Sequence, residues 1–183
     1  MQGPTHLAVG ILIQKATYKV KPLPLRHSLV AFLAIISHGI LDKLARLTYH
    51  PPMPLARDWF WISYHVMIYL LSMFILIKYF GRYKVGLIFS IIPDLDWVVL
   101  HSSKFLPFQI PFWKKPILHE FLSGFIDFLP PFSLLNSLPN WNSKRKGVIV
   151  EFLLLAVLAT FIYVIREGKN QKNCGQKKRH MEM

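Results

Sequence analysis

The chain has 183 residues, 53% of them hydrophobic and only 17% charged, against the ~25% charged residues usual in soluble domains, so it has the length of one domain and the composition of a membrane protein. Its formal charge is +13, from 22 Lys and Arg against 9 acids; the cations lie between apolar runs and in the tail, which suits anionic lipid headgroups, and no nucleic-acid partner is expected. The one cysteine, Cys174, excludes an internal disulfide and a CxxC zinc motif, so any metal must be held by His and carboxylate.

The opening MQGPTHLAVGILIQK has no basic residue ahead of its short apolar run and no small-residue cleavage site, so it reads as retained in the mature protein. Thr5 is placed to cap a helix that begins near His6 and ends at Gln14 and Lys15, too short to span. Lys15 to Arg26 is basic, holds two prolines and reads as an interfacial loop. His27 to Leu47 is long enough for one crossing, with Asp42, Lys43 and Arg46 at its far end. A loop marked by Pro51, Pro52 and Pro54 follows, and then the strongest spanning candidate, Trp59 to Phe80, with Trp59, Trp61, Tyr79 and Tyr83 at interfacial positions. Val85 to His101 is apolar but interrupted by PDLD, the pattern of a broken membrane helix whose polar break lines a cavity. Loops around Pro107, Pro111 and Pro116 lead to Ile117 to Phe128, which carries His119, Glu120 and Asp127 and is too polar to face lipid all round. Val148 to Ile165 is a final span with one acid, Glu151, near its start. The expectation is an all-α, polytopic helical membrane protein with broken helices around a polar site: a helical membrane domain over 1–166 and a basic disordered tail over 167–183. The stretch after Ile165 has six Lys and Arg against three before Val148, which places the C-terminus on the cytoplasmic side.

Chemistry concentrates in two segments. IIPDLDWVVLH sets Asp94, Asp96 and His101 in an apolar run, and a carboxylate there needs a proton, a cation or a metal. Pro93 removes an amide donor and disfavours helix before it, so the chain is expected to kink and expose both aspartates. SHGILD places His38 and Asp42 about 6 Å apart along one helix face, a good spacing for two ligands of one ion. His6 and His119, each near a helix start, complete the expected ligand set of His6, His38, Asp42, Asp94, Asp96 and His119. Glu120 is the candidate general base for an activated water, and His101, ~10 Å along a continuous helix from Asp94, is the candidate to meet the substrate. The plainer readings are an Asp42–Arg46 helix pair, an aspartate turn at Asp94 and Asp96, and packed histidines. The apolar setting favours function, because ionisable groups in membrane segments are functional-site candidates by default. Mixed imidazole and carboxylate donors suit zinc best, then manganese or iron.

PTHLAVG, HSLVAFLAIISHGILDKL and IIPDLD together resemble the small bacterial inner-membrane proteins described as membrane-bound metal-dependent hydrolases. That family shows an early histidine, a PD-x-D motif, an HS string and an H-x-x-x-D helix, matched here by His6, by Asp94 with Asp96, by His27 with Ser28, and by His38 with Asp42. The resemblance covers about half the chain, and two features depart from the family's pattern: its longer basic string is reduced to Arg26, His27 and Ser28, and PD-x-D follows the other motifs instead of preceding them. The resemblance implies a multi-pass protein of the bacterial inner membrane that uses a divalent metal to hydrolyse an ester reachable from the membrane, such as a lipid phosphodiester. The alternative is a non-enzymatic ion carrier, proton relay or structural subunit. The oligomeric state is left open.

Overall fold

The computed structural model describes the backbone of residues 1–51, 57–102, 113 and 115–181, and the side chains of these except 101, 102 and 166–181. Every regular element among the described residues is helical: α1 (Gly3–Ala16), α2 (Leu23–Leu44), α3 (Trp59–Ile91), α4 (Leu95–Ser102), α5 (Ile117–Phe128), α6 (Pro130–Ser133) and α7 (Gly147–Met181), with short 3-10 turns after α2, α3 and α6. Three stretches are long and apolar enough to cross a membrane: Leu23–Leu47, Trp59–Leu100 and Gly147–Ile165. Most of their side chains stay outside the protein core, with Met73, Phe74 and Ile77 of α3 and Leu153, Phe161 and Val164 of α7 among the exposed apolar residues.

α1 is the buried centre. Thr5, His6, Leu7 and Ile11 are almost wholly enclosed by α2, α3 and α7. Thr5 does not cap α1: the helix starts earlier, at Gly3, and its N-cap Gln2 makes no side-chain capping bond. α2 likewise begins at Leu23, inside the expected basic loop, because Pro22 and Pro24 supply the φ angle that a helix start requires.

The bend inside α3 falls between the two apolar stretches read from the sequence, Trp59 to Phe80 and Val85 to His101; what the pattern did not show is that the second arm folds back along α1. Ser72 lies against Gly3 and the Arg82 carbonyl accepts from Gln14 Nε2 at 3.2 Å, so the first part of α3 advances alongside α1. At Tyr83 the backbone leaves helical geometry (φ −124°, ψ 29°). Beyond it Gly86 N donates to Gln14 Oε1 at 2.7 Å and Ser90 lies against Gly10, so the chain returns along α1 towards its N-terminus. Gly86, just past the bend, has no Cβ to hold the returning arm away from α1, whereas a Cβ at Gly81 would meet open space. The return brings the backbones of α1 and α3 into contact: a Cβ at Gly10 would stand 2.4 Å from the Gly86 carbonyl oxygen, and one at Gly86 2.2 Å from that of Gly10.

After this return α3 ends at Ile91, and a 3-10 turn over Ile92–Asp94 contains Pro93. The break expected at Pro93 is present, with α4 restarting at Leu95. α5 presents Phe121, Phe125 and Phe128 outwards while Leu122 and Ile126 are buried, Ile126 against Gly39 of α2. Lys43 of α2 donates to Asp127 Oδ2 at 2.8 Å and to Asn136 Oδ1 at 3.2 Å. The Lys43 and Asn136 hydrogen bonds hold the Asp127 carboxyl below its ordinary value of 3.8. This contribution to docking α5 is present above that value and is lost as pH falls through the lower, folded value. α7 continues as helix through the basic stretch that was expected to be a separate tail; no proline interrupts it there. The loops around Pro52, Pro54, Pro107 and Pro111 lie outside the described residues.

Candidate metal centre

Four segments distant in sequence meet at one point: the first turns of α1, the last turns of α2, the 3-10 turn after α3, and the start of α5. His6 Nε2 lies 3.3 Å from Asp42 Oδ1, and His38 Nε2 lies 3.1 Å from Asp42 Oδ2 and 3.6 Å from Asp94 Oδ1. His119 Nε2 lies 3.5 Å from Asp42 Oδ2 and 3.8 Å from Asp94 Oδ1. The His6 and His38 rings stack at 3.9 Å, and His119 meets His38 edge-on at 5.4 Å. The Met1 amine also lies 3.3 Å from Asp42 Oδ1.

For His38 and His119, hydrogen bonding on the far side of the ring decides which nitrogen faces inwards with a lone pair; His6 Nδ1 is buried with no hydrogen-bond partner. His38 Nδ1 is 2.7 Å from the Ser90 carbonyl oxygen, which can only accept, so Nδ1 carries the hydrogen and Nε2 is the basic atom. His38 is fully buried, and its Nε2 has no partner of hydrogen-bonding geometry. His119 repeats the arrangement: Nδ1 is 3.1 Å from Asp96 Oδ2, which leaves the lone pair on Nε2, where Trp97 Nε1 donates at 3.3 Å. An imidazole whose outer N–H is held by a carbonyl or carboxylate is the usual form of a metal-ligating histidine.

The donor set fits a divalent ion. With zinc bonds to N and O of about 2.0 to 2.1 Å, ligand atoms at neighbouring corners of a tetrahedron stand about 3.3 to 3.4 Å apart. His6 Nε2 lies 3.3 Å from Asp42 Oδ1, while the His38 and His119 Nε2 atoms lie 3.1 and 3.5 Å from Asp42 Oδ2, so the two carboxylate oxygens divide these contacts between them. His6, His38 and Asp42 form one possible ligand group, and His38, Asp94 and His119 an overlapping one. Asp94, about half exposed, stands at the outer rim.

Two expected site residues fall elsewhere, and a third is not among the described side chains. Asp96 is fully buried one layer out, its oxygens taken by Trp113 Nε1 at 2.9 Å and by the backbone N–H of His119, also at 2.9 Å, so it orients His119 and its oxygens face other donors. Glu120 is exposed and bonded to Lys115, because a residue adjacent to His119 on a helix points about 100° away from it. The His101 side chain lies outside the described residues. Sequence reasoning missed Ser90, Trp113 and Thr5; a carbonyl, an indole and a hydroxyl leave no pattern that marks them as partners of a distant imidazole or carboxylate.

Comparison with known proteins adds no relative. No family model matches the chain, and neither the curated proteins nor the solved structures contain a match. The functional reading therefore rests on the geometry above.

Proposed function

We propose that this is a multi-pass membrane protein of the bacterial inner membrane that holds one divalent ion, zinc by preference, and hydrolyses an ester group of a membrane-resident amphiphile. The observation that carries the reading is the convergence of the His6, His38 and His119 Nε2 atoms on the Asp42 carboxylate, with the buried His38 Nε2 left without a hydrogen-bond partner. The His38 Nε2 lone pair faces carboxylate oxygens of Asp42 and Asp94, acceptor against acceptor, and a bound cation removes that repulsion. The motif resemblance names His6, His38, Asp42 and Asp94 of this cluster and does not reach His119.

His6, His38 and Asp42 would hold the ion, which would leave a position for water on the side of His119 and the rim residue Asp94. A divalent ion there supplies Lewis acidity towards a phosphoryl or carbonyl oxygen and brings the pKa of water to about 7. Asp96 keeps the His119 ring turned inwards, and Ser90 does so for His38. The half-exposed Asp94 carboxylate is placed to take the proton of an attacking water. Exposed Leu95 follows Asp94 directly and exposed Trp97 lies against His119, which supports an amphiphile whose ester meets the polar atoms while its chains stay in lipid.

Two measurements test the reading. The protein should remain with the membrane pellet after high-salt and carbonate washing, because burying apolar spans in lipid outweighs headgroup attraction, which salt screens; release of most of it would refute the membrane assignment. Detergent-purified protein should contain close to one equivalent of zinc and should lose it as pH falls below about 6.5, where protons compete for imidazole. Metal that stays bound with no hydrolysis of phosphoesters or carboxylic esters would leave the ion-carrier reading in its place.

A further inference from the structure

We propose that Glu151 is a positioning residue for the metal centre: it clamps the first turn of α1 from the neighbouring α7 and so sets where the His6 imidazole stands. The proposal rests on the metal-centre reading above. Glu151 is fully buried and is the only charged residue between Val148 and Ile165. A carboxylate in such a segment is expensive. Its hydrogen-bond donors among the described residues both belong to the start of α1: Gln2 N at 3.3 Å and Thr5 Oγ1, each to Oε1.

Both ends of this contact are fixed. α7 begins at Gly147, where a Cβ would lie 2.6 Å from both the Thr48 carbonyl carbon and the Tyr49 nitrogen, so the two backbones touch just beyond the end of α2. Glu151 stands one helical turn further along α7. α1 has no side-chain cap of its own, and its first N–H groups need an acceptor. The carboxylate supplies one at the positive end of the helix. The residue after Thr5 is His6, whose Nε2 faces Asp42 at 3.3 Å. The path from α7 to the metal-binding atoms is thus Glu151, the Thr5 turn, His6.

The role separates from simple packing in a cobalt(II) titration of the full-length protein in detergent, read as affinity and as the visible absorption of the bound ion. Glu151→Ala is expected to weaken cobalt binding about tenfold, as loss of an outer orienting group commonly does, and to move the absorption towards that of His6→Ala. The double variant should bind no worse than His6→Ala alone, because both changes remove one ligand's placement. Glu151→Gln, whose amide oxygen can still accept from Gln2 N and Thr5 Oγ1, should restore most of the affinity. Losses that multiply in the double variant, or a Glu151→Ala protein that melts earlier with cobalt affinity and spectrum unchanged, would overturn the proposal. If Glu151→Ala does not fold, Thr5→Val decides by the same readouts, since it removes the hydroxyl donor at nearly constant volume. A parent protein that binds neither cobalt nor zinc overturns the metal centre itself, a result distinct from a parent that binds with Glu151 silent.

Discussion

Replacing His38 by alanine is expected to lower bound metal about 10- to 100-fold, the largest effect of any single ligand change. Even outer-layer substitutions at metal sites commonly cost ~10- to 100-fold in affinity, and His38 is central to the cluster: it belongs to both possible ligand groups, stacks on His6 and meets His119 edge-on. Asp42→Asn should act in the same direction, because it removes the negative charge that all three imidazole nitrogens face. The matched control is His65→Ala. His65 is also buried, but its Nδ1 faces the Trp61 carbonyl at 2.9 Å and its ring stacks on Trp61, away from the cluster. Metal content is read by elemental analysis after size-exclusion chromatography in detergent. If the His38 and Asp42 variants elute as the parent does and keep its zinc, the cluster is not a metal site.

The second large effect concerns the contact that builds the site. Gly10→Val or Gly86→Val should prevent accumulation of folded protein, because the added carbons would meet a backbone carbonyl that cannot rotate aside. Overpacking a tight interior costs about 1 to 3 kcal/mol, and more where backbone must move, a large part of the ~5 to 15 kcal/mol that stabilises a typical protein. Gly124→Ala on α5 is the control: nothing lies within 4 Å of its added carbon, and a helix-interior Gly to Ala change is favourable by up to about 1 kcal/mol. Thermal unfolding followed by detergent chromatography distinguishes the two. A Gly86→Val protein as stable as the parent would show that α1 and the returning half of α3 do not touch as described.

The return of α3 at Tyr83 also explains why this site depends on tertiary structure. His6 and His38 lie on separate helices, and Asp94 belongs to a third segment that reaches them only because α3 folds back along α1. Hydropathy stays high over the whole of Trp59–Leu100; the GRYK stretch between Phe80 and Val85 marks where the two apolar arms part, but not that the second folds back along the first turns of α1.

The sequence by itself determined the helical class, the apolar stretches and the residue types able to bind a metal. Those properties are local: composition sets hydropathy, four-residue spacing puts His38 and Asp42 on one face, and Pro93 breaks a helix wherever it occurs. Tertiary structure alone decided which candidates share a centre. It separated Asp94 at the rim from Asp96 behind His119, although only Leu95 lies between them, because the 3-10 turn sends their carboxylates to different neighbours. It sent Glu120 outwards to Lys115 and brought Glu151 to Thr5 across 146 residues of chain. Contacts of that range depend on how helices cross, which is set by the close approach at Gly10 and Gly86 and by the turn at Tyr83, and no spacing within one helix encodes them.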